Sequence, residues 1–152
     1  MKRLLILLAV IPLFAADPAG FVVWKASDLK GYEKKLAPKM NPQKVATEQL
    51  VSFGNHSTMI AHREGDGEAE VHDKMADLFV VQSGEATLIV GGTVAGGKTT
   101  APGETRGPSI TGGEKKKLGP GDVVHIPATV PHQLLVAPGK QFTYFVMKVE
   151  SK

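Results

Sequence analysis

The sequence predicts an all-β domain, an antiparallel sandwich or barrel, preceded by one short helix. Three observations carry this. From Val45 to the C-terminus, short apolar runs recur at close spacing, each bounded by Gly, Pro or Asn. Only residues 27–37 place apolar side chains at helical spacing. The chain has 152 residues with 17 Gly, 10 Pro and no Cys, which suits a single turn-rich domain without disulfides or thiolate ligands.

The elements follow in order. Residues 1–16 have the pattern of a secretory leader: Lys2 and Arg3, an uncharged run from Leu4 to Phe14, then Ala15-Ala16 before Asp17. The apolar run is too short for a membrane span of about twenty residues. The alternatives are a buried N-terminal strand or a retained anchor. Residues 17–44 are expected to be a helical and extended segment. In it Ser27 caps a helix, Leu29, Tyr32 and Leu36 share a face, and Pro38 stops it. Residues 45–152 form the β domain. Its expected strands are Val45–Phe53, Ser57–Arg63, Glu68–His72, Leu78–Gln82, Ala86–Val90, Val123–Ile126, Gln133–Val136 and Phe142–Val149. The last alternates Phe142, Tyr144 and Val146 against Thr143, Phe145 and Met147. With both faces apolar, it is either covered on both sides or part of a subunit contact. Residues 91–113 carry eight Gly and read as a long loop or extended hairpin.

The charge of +3 (18 basic against 15 acidic residues) does not point to nucleic acid. Without Lys2 and Arg3 the balance is 16 against 15, and no aromatic residues alternate with basic ones. Lys115-Lys116-Lys117 fits a solvated turn or edge strand. Gly92 to Thr99 matches the phosphate-loop pattern literally, but Thr100-Ala101-Pro102-Gly103 cannot begin the helix that would hold a phosphate. No Gly-x-Ser-x-Gly elbow is present for Ser-His-Asp catalysis.

The chemistry gathers in three stretches: Glu70-Val71-His72 with Asp77, the turn Gly119-Pro120-Gly121-Asp122, and Pro127 to His132. On a strand, Glu70 and His72 share a face. Here the chain resembles the cupin superfamily. Gly65, Glu70, His72, Asp77 and Gly84 fall on its first motif, with four residues between His72 and Asp77 and six between Asp77 and Gly84. Gly121, Pro127, Thr129 and His132 fall on the second. The resemblance covers roughly residues 50–149. It implies a cupin-type double-stranded β-helix, a jelly-roll barrel, with a metal or ligand site inside.

Three departures stand out: Glu70 replaces a motif His, Asp77 a Glu, and Thr129 a turn Gly. The implied metal ligands are Glu70, His72, Asp77 and His132, a mixed N/O set suited to Mn, Fe, Zn or Ni. Asp77, one carbon shorter than Glu, must approach closely or act through water. The alternative is a barrel without metal, with Glu70 bonded to His72 or to an Arg. Phe79, Val81 and Leu134 are expected to wall a pocket for a small molecule. His62 and His125 are alternative ligands. His56 is expected in a turn. The expected activity is that of an exported metal-dependent cupin of the dioxygenase, isomerase or lyase kind; the alternative is a non-catalytic small-molecule or sugar binder. The resemblance also implies a homodimer, with residues 21–50 crossing to a partner.

Overall fold

A computed structural model describes residues 16–151. The expected leader, except Ala16, therefore lies outside the described residues. Helix α1 (Ala26–Leu36) runs into a 3-10 turn at Ala37–Lys39. The strands that follow are β1 (Val45–Ser52), β2 (His56–Arg63), β3 (Ala69–His72), β4 (Met75–Gly84), β5 (Ala86–Val90), β6 (Thr93–Ala95), β7 (Lys98–Ala101), β8 (Glu104–Gly107), β9 (Ser109–Thr111), β10 (Glu114–Leu118), β11 (Val123–Ile126), β12 (His132–Leu135) and β13 (Phe142–Glu150).

They form a five-stranded sheet in the order β1-β2-β13-β4-β11, a six-stranded sheet in the order β10-β5-β12-β3-β8-β7, and a β6-β9 ribbon. The two large sheets close on one apolar core. Phe79 and Val81 of β4 and Phe142, Tyr144 and Val146 of β13 come from one sheet, and Leu88 and Leu134 from the other. This is the expected jelly-roll barrel.

Strand β13 explains the molecule's layering. Its period-two alternation turns Phe142, Tyr144 and Val146 into the barrel. On its other face the chain's own N-terminal segment packs, with Trp24 5.2 Å from Phe145, ring centre to ring centre. Helix α1 packs beside it, with Leu29, Tyr32 and Leu36 meeting Ala46 and Ile60 in a second cluster. These helix positions recur at i, i+3 and i+7, the apolar stripe of a surface helix. Ser27 does not cap it. The N-cap is Lys25, without a side-chain bond, and the Ser27 hydroxyl turns to Asp28. Glu33 instead ties the helix to the barrel by accepting from Ser83 Oγ at 2.7 Å.

The glycine-rich stretch is the main departure from expectation. It folds into β6 to β9, so the extended-hairpin alternative is the one realised. The phosphate-loop match spans β6, the start of β7 and the turn between them, where no helix begins. The three-lysine run lies in β10, the outer strand of its sheet, and is solvent exposed. Charged residues on an edge strand discourage pairing with another chain.

Two backbone positions carry strain or its relief. Gly84 has φ +78°, and a Cβ there would collide with the Gln141 carbonyl where β4 meets Phe142. Thr129 has φ +66°, in the left-handed region that a β-branched residue rarely enters. Its N–H donates to the His72 carbonyl at 2.7 Å, so the strained turn fastens the β11–β12 connection to the end of β3. Thr129→Gly should keep that bond and relieve roughly 1 kcal/mol of strain, raising Tm by a few degrees in a thermal melt. An unchanged or lower Tm would show that the threonine side chain compensates for its backbone.

Candidate metal centre

Strand pairing builds the site. Across β3 and β8, Glu70 faces Arg106 and His72 faces Glu104. Across β12 and β3, His132 faces Glu70. In the opposite sheet, Lys148 of β13 faces Asp77 of β4. Cross-strand neighbours present side chains to the same face, so both sheets aim polar groups into the barrel at one level.

The imidazoles are nearly dry, His72 at 3% exposure and His132 at 4%. Each is anchored outward through Nδ1. His72 Nδ1 donates to Glu104 Oε2 at 2.6 Å, and His132 Nδ1 donates to the Val130 carbonyl at 3.1 Å. With Nδ1 carrying the proton, Nε2 keeps its lone pair and faces the interior. This is the outer support that metal-binding imidazoles characteristically receive. Glu70, His72 and His132 each offer one ligand atom, all within 4.8 Å of one another, so the three could hold a metal ion. Glu70 is also gripped by Arg106 at 2.6 Å.

Asp77, the fourth expected ligand, is not a member of that trio but touches both of its imidazoles. Its carboxylate is 2% exposed and lies 3.3 Å from His72 Nε2 and 3.5 Å from His132 Nε2. Both of its oxygens accept from Lys148 Nζ, at 2.8 and 3.1 Å. The same ammonium donates to His72 Nε2 at 2.8 Å. Burial alone would raise the Asp77 pKa, but the neighbouring His132 and His72 imidazoles and the Lys148 ammonium hold it well below the ordinary carboxylate range. Burial lowers the His72 pKa, yet Asp77 and Glu104 outweigh it and the net shift is upward, with Lys148 opposing. The shorter Lys148 contact favours neutral His72 with Nε2 accepting, whereas the upward shift has Nε2 donating to Asp77. One proton separates the two states.

The remaining expected residues sort clearly. Phe79 and Leu134 line a cavity of about 290 Å³ next to Asp77 and His132; Val81 is buried in the core and is not part of its lining. His62 is not a ligand. It is fully buried, with Nδ1 on Thr143 Oγ1 at 2.8 Å and Nε2 on Glu64 at 3.3 Å. His125 is exposed on β11 and does not reach the site. His56 begins β2 and stacks on Phe53.

Lys148, Arg106 and Glu104 were not foreseen. Lys148 was legible in principle, because the alternation Phe142, Tyr144, Val146 continues to it. Arg106 and Glu104 were hidden by the glycine-rich composition around β8.

No family model and no curated protein matches the chain. Solved structures do, and they share the cupin fold. TT1209 of Thermus thermophilus is 19% identical, with 77% of this chain and 92% of that one covered at a TM-score of 0.56. A cupin-like protein of Thermotoga maritima is 18% identical, covering 69% and 68% at 0.51. A DMSP lyase of Ruegeria pomeroyi is 17% identical at 0.51, covering 70% of this chain and 47% of that one, so the chain spans about half the lyase's length. The chain is thus a cupin by fold, with a barrel site able to hold a metal.

The depressed Asp77 pKa gives a pH signature. A carboxyl depressed in the folded state contributes stability that is complete above its ordinary value of 3.8 and is lost as pH falls below it. Chelator-treated wild type should therefore weaken steeply on acidification below about pH 4 in urea titrations. Asp77→Asn should be less stable at neutral pH, by about 3 kcal/mol at the lower end for a broken buried pair, because Lys148 keeps partial solvent access. Its acid limb should be flatter. Superimposable acid profiles would refute the assignment.

Proposed function

We propose that the protein is an exported cupin that holds a divalent metal at Glu70, His72 and His132 and acts on a small organic molecule in the adjoining cavity. The observation that carries this is the outward anchoring of both imidazoles through Nδ1, which leaves two Nε2 lone pairs beside the Glu70 carboxylate. Export rests on the leader-like residues 1–16. A two-His, one-carboxylate set suits iron(II), manganese or zinc.

When bound, the metal would supply Lewis acidity toward a substrate oxygen, or a site for dioxygen if it is iron. The chain's own contribution is threefold. Glu104 and the Val130 carbonyl orient the imidazoles. Phe79 and Leu134 line the cavity and exclude water. Asp77 and Lys148 hold a proton at Nζ, within the same cavity, where it can be donated to an oxygen of the bound molecule. The reaction then belongs to the dioxygenase, isomerase or lyase range. The Thermus, Thermotoga and Ruegeria structures support the fold, and the lyase shows that a protein of this fold can be an enzyme.

A second reading is favoured by one observation. The Lys148 ammonium, 2.8 Å from His72 Nε2, already supplies a cation to this cluster, and Arg106 neutralises Glu70. On that reading the protein binds a small molecule or sugar without metal.

Metal content after supplementation with Mn, Fe, Zn or Ni distinguishes the two. The metal reading predicts about one equivalent per chain in wild type, loss in His132→Ala, and tighter binding in Lys148→Met, where no ammonium competes for His72. Wild type and Lys148→Met both remaining metal-free would leave the second reading.

A further inference from the structure

Three cationic side chains, Arg63, Arg106 and Lys148, line the cavity beside His132, and they differ in how their charge is met. Lys148 is paired with Asp77 at 2.8 Å. Arg106 is paired with Glu70 at 2.6 Å and lies 3.7 Å from Glu68. Arg63, from β2, has no carboxylate within 4.0 Å among the described residues. Its Nε donates to the Tyr144 hydroxyl oxygen at 3.0 Å. That bond fixes the guanidinium plane while leaving its terminal nitrogens unengaged by any carboxylate. Tyr144, 4% exposed, accepts this bond and keeps its own O–H to donate.

Room for the guanidinium comes from Gly67. A Cβ there would lie 3.1 Å from Arg63 Nη1 and 3.3 Å from the Leu134 carbonyl. Glu68 and Glu70 act on this guanidinium only at longer range. Half-buried and held in a fixed plane, it incurs desolvation that a carboxylate in direct contact would offset, and its fork geometry matches a carboxylate in bidentate fashion.

The same strand sets the distance to the metal-binding trio. Tyr144 and Lys148 share the inward face of β13 four residues apart, about 13 Å of extended chain. Between them stands Val146, and Phe79 bridges the gap, its ring centre 5.0 Å from that of Tyr144 and 6.4 Å from that of His132. The cavity therefore has an end that presents the Arg63 guanidinium and the Tyr144 hydroxyl, an apolar middle and a His/Asp/Lys end. At about 290 Å³ it sits at the lower limit of small-molecule pockets.

We propose that Arg63 and Tyr144 form an anion subsite, and that the molecule taken by the cavity is a small carboxylic acid with a short apolar body, its carboxylate on Arg63 and its far end toward His132 and Asp77. This rests on the proposed function only in treating the cavity as the ligand site; it does not require the metal.

The probe is pentanoate, with pentanamide as its neutral counterpart, titrated calorimetrically into the chelator-treated full chain. Pentanoate should bind with one site and pentanamide roughly tenfold or more weaker. Arg63→Gln should abolish that discrimination, and Tyr144→Phe should weaken pentanoate several-fold. Should Arg63→Gln not fold, the wild-type pair of ligands and Tyr144→Phe still decide. Equal binding of both ligands, binding of neither, or a full-affinity Arg63→Gln would overturn the subsite. Metal content, measured on aliquots of the same protein supplemented with Mn, Fe, Zn or Ni, separates the two claims. Protein that takes up no metal on supplementation yet prefers pentanoate sinks the metal reading alone; protein that takes up metal yet, chelator-treated or loaded, ignores the carboxylate sinks the subsite alone.

Discussion

A carboxylate sealed inside a barrel has to be compensated, and Asp77 is the point on which the two sheets agree. At 2% exposure it cannot rely on water. Its ladder neighbour Lys148 reaches it within its own sheet, and the two imidazoles reach it from the other. The demand then propagates. His72 must present Nε2 inward, so its Nδ1 requires an acceptor, and β8 supplies Glu104. His132 requires the same and finds the Val130 carbonyl in the turn that follows Pro127. The strained Thr129 in that turn is held by the His72 backbone. Local strain, cross-strand register and ionisation thus serve a single cluster.

The cluster is balanced between two cations. Glu70, Asp77 and Glu104 surround the imidazoles with negative charge, which favours a divalent ion in low-dielectric surroundings. Lys148 and Arg106 answer part of that charge from the chain itself. A metal held at the trio would have to displace the Lys148 ammonium from His72. Its affinity would then be a difference between two attractions, adjustable by a single side chain on β13.

The period-two pattern made much of this legible in advance. It placed Glu70 beside His72, gave the last strand two apolar faces and put Phe79 on the cavity wall. Motif spacing brought Asp77 and His132 into the same group, although their contacts with Lys148 lay beyond any motif. What stayed hidden had a physical reason. Residues 91–113 hold only Val94 and Ile110 as branched apolar side chains, so no hydrophobic period marks β6 to β9, and their pairing is set by neighbouring strands. Arg106 and Glu104 are visible only once β8 is known to flank β3. Helix α1 was displaced by one residue because Ser27, a good cap by type, bonds Asp28 instead. His62 had the chemistry of a ligand but pairs with Thr143, away from the cavity.

Anomalous diffraction from crystals of metal-supplemented protein addresses the central claim most directly. The account predicts one peak at the metal's absorption edge, about 2.1 Å from Nε2 of both His72 and His132, with Lys148 drawn away from His72. A map without such a peak, with the Lys148 ammonium still on His72 and Asp77, would contradict it.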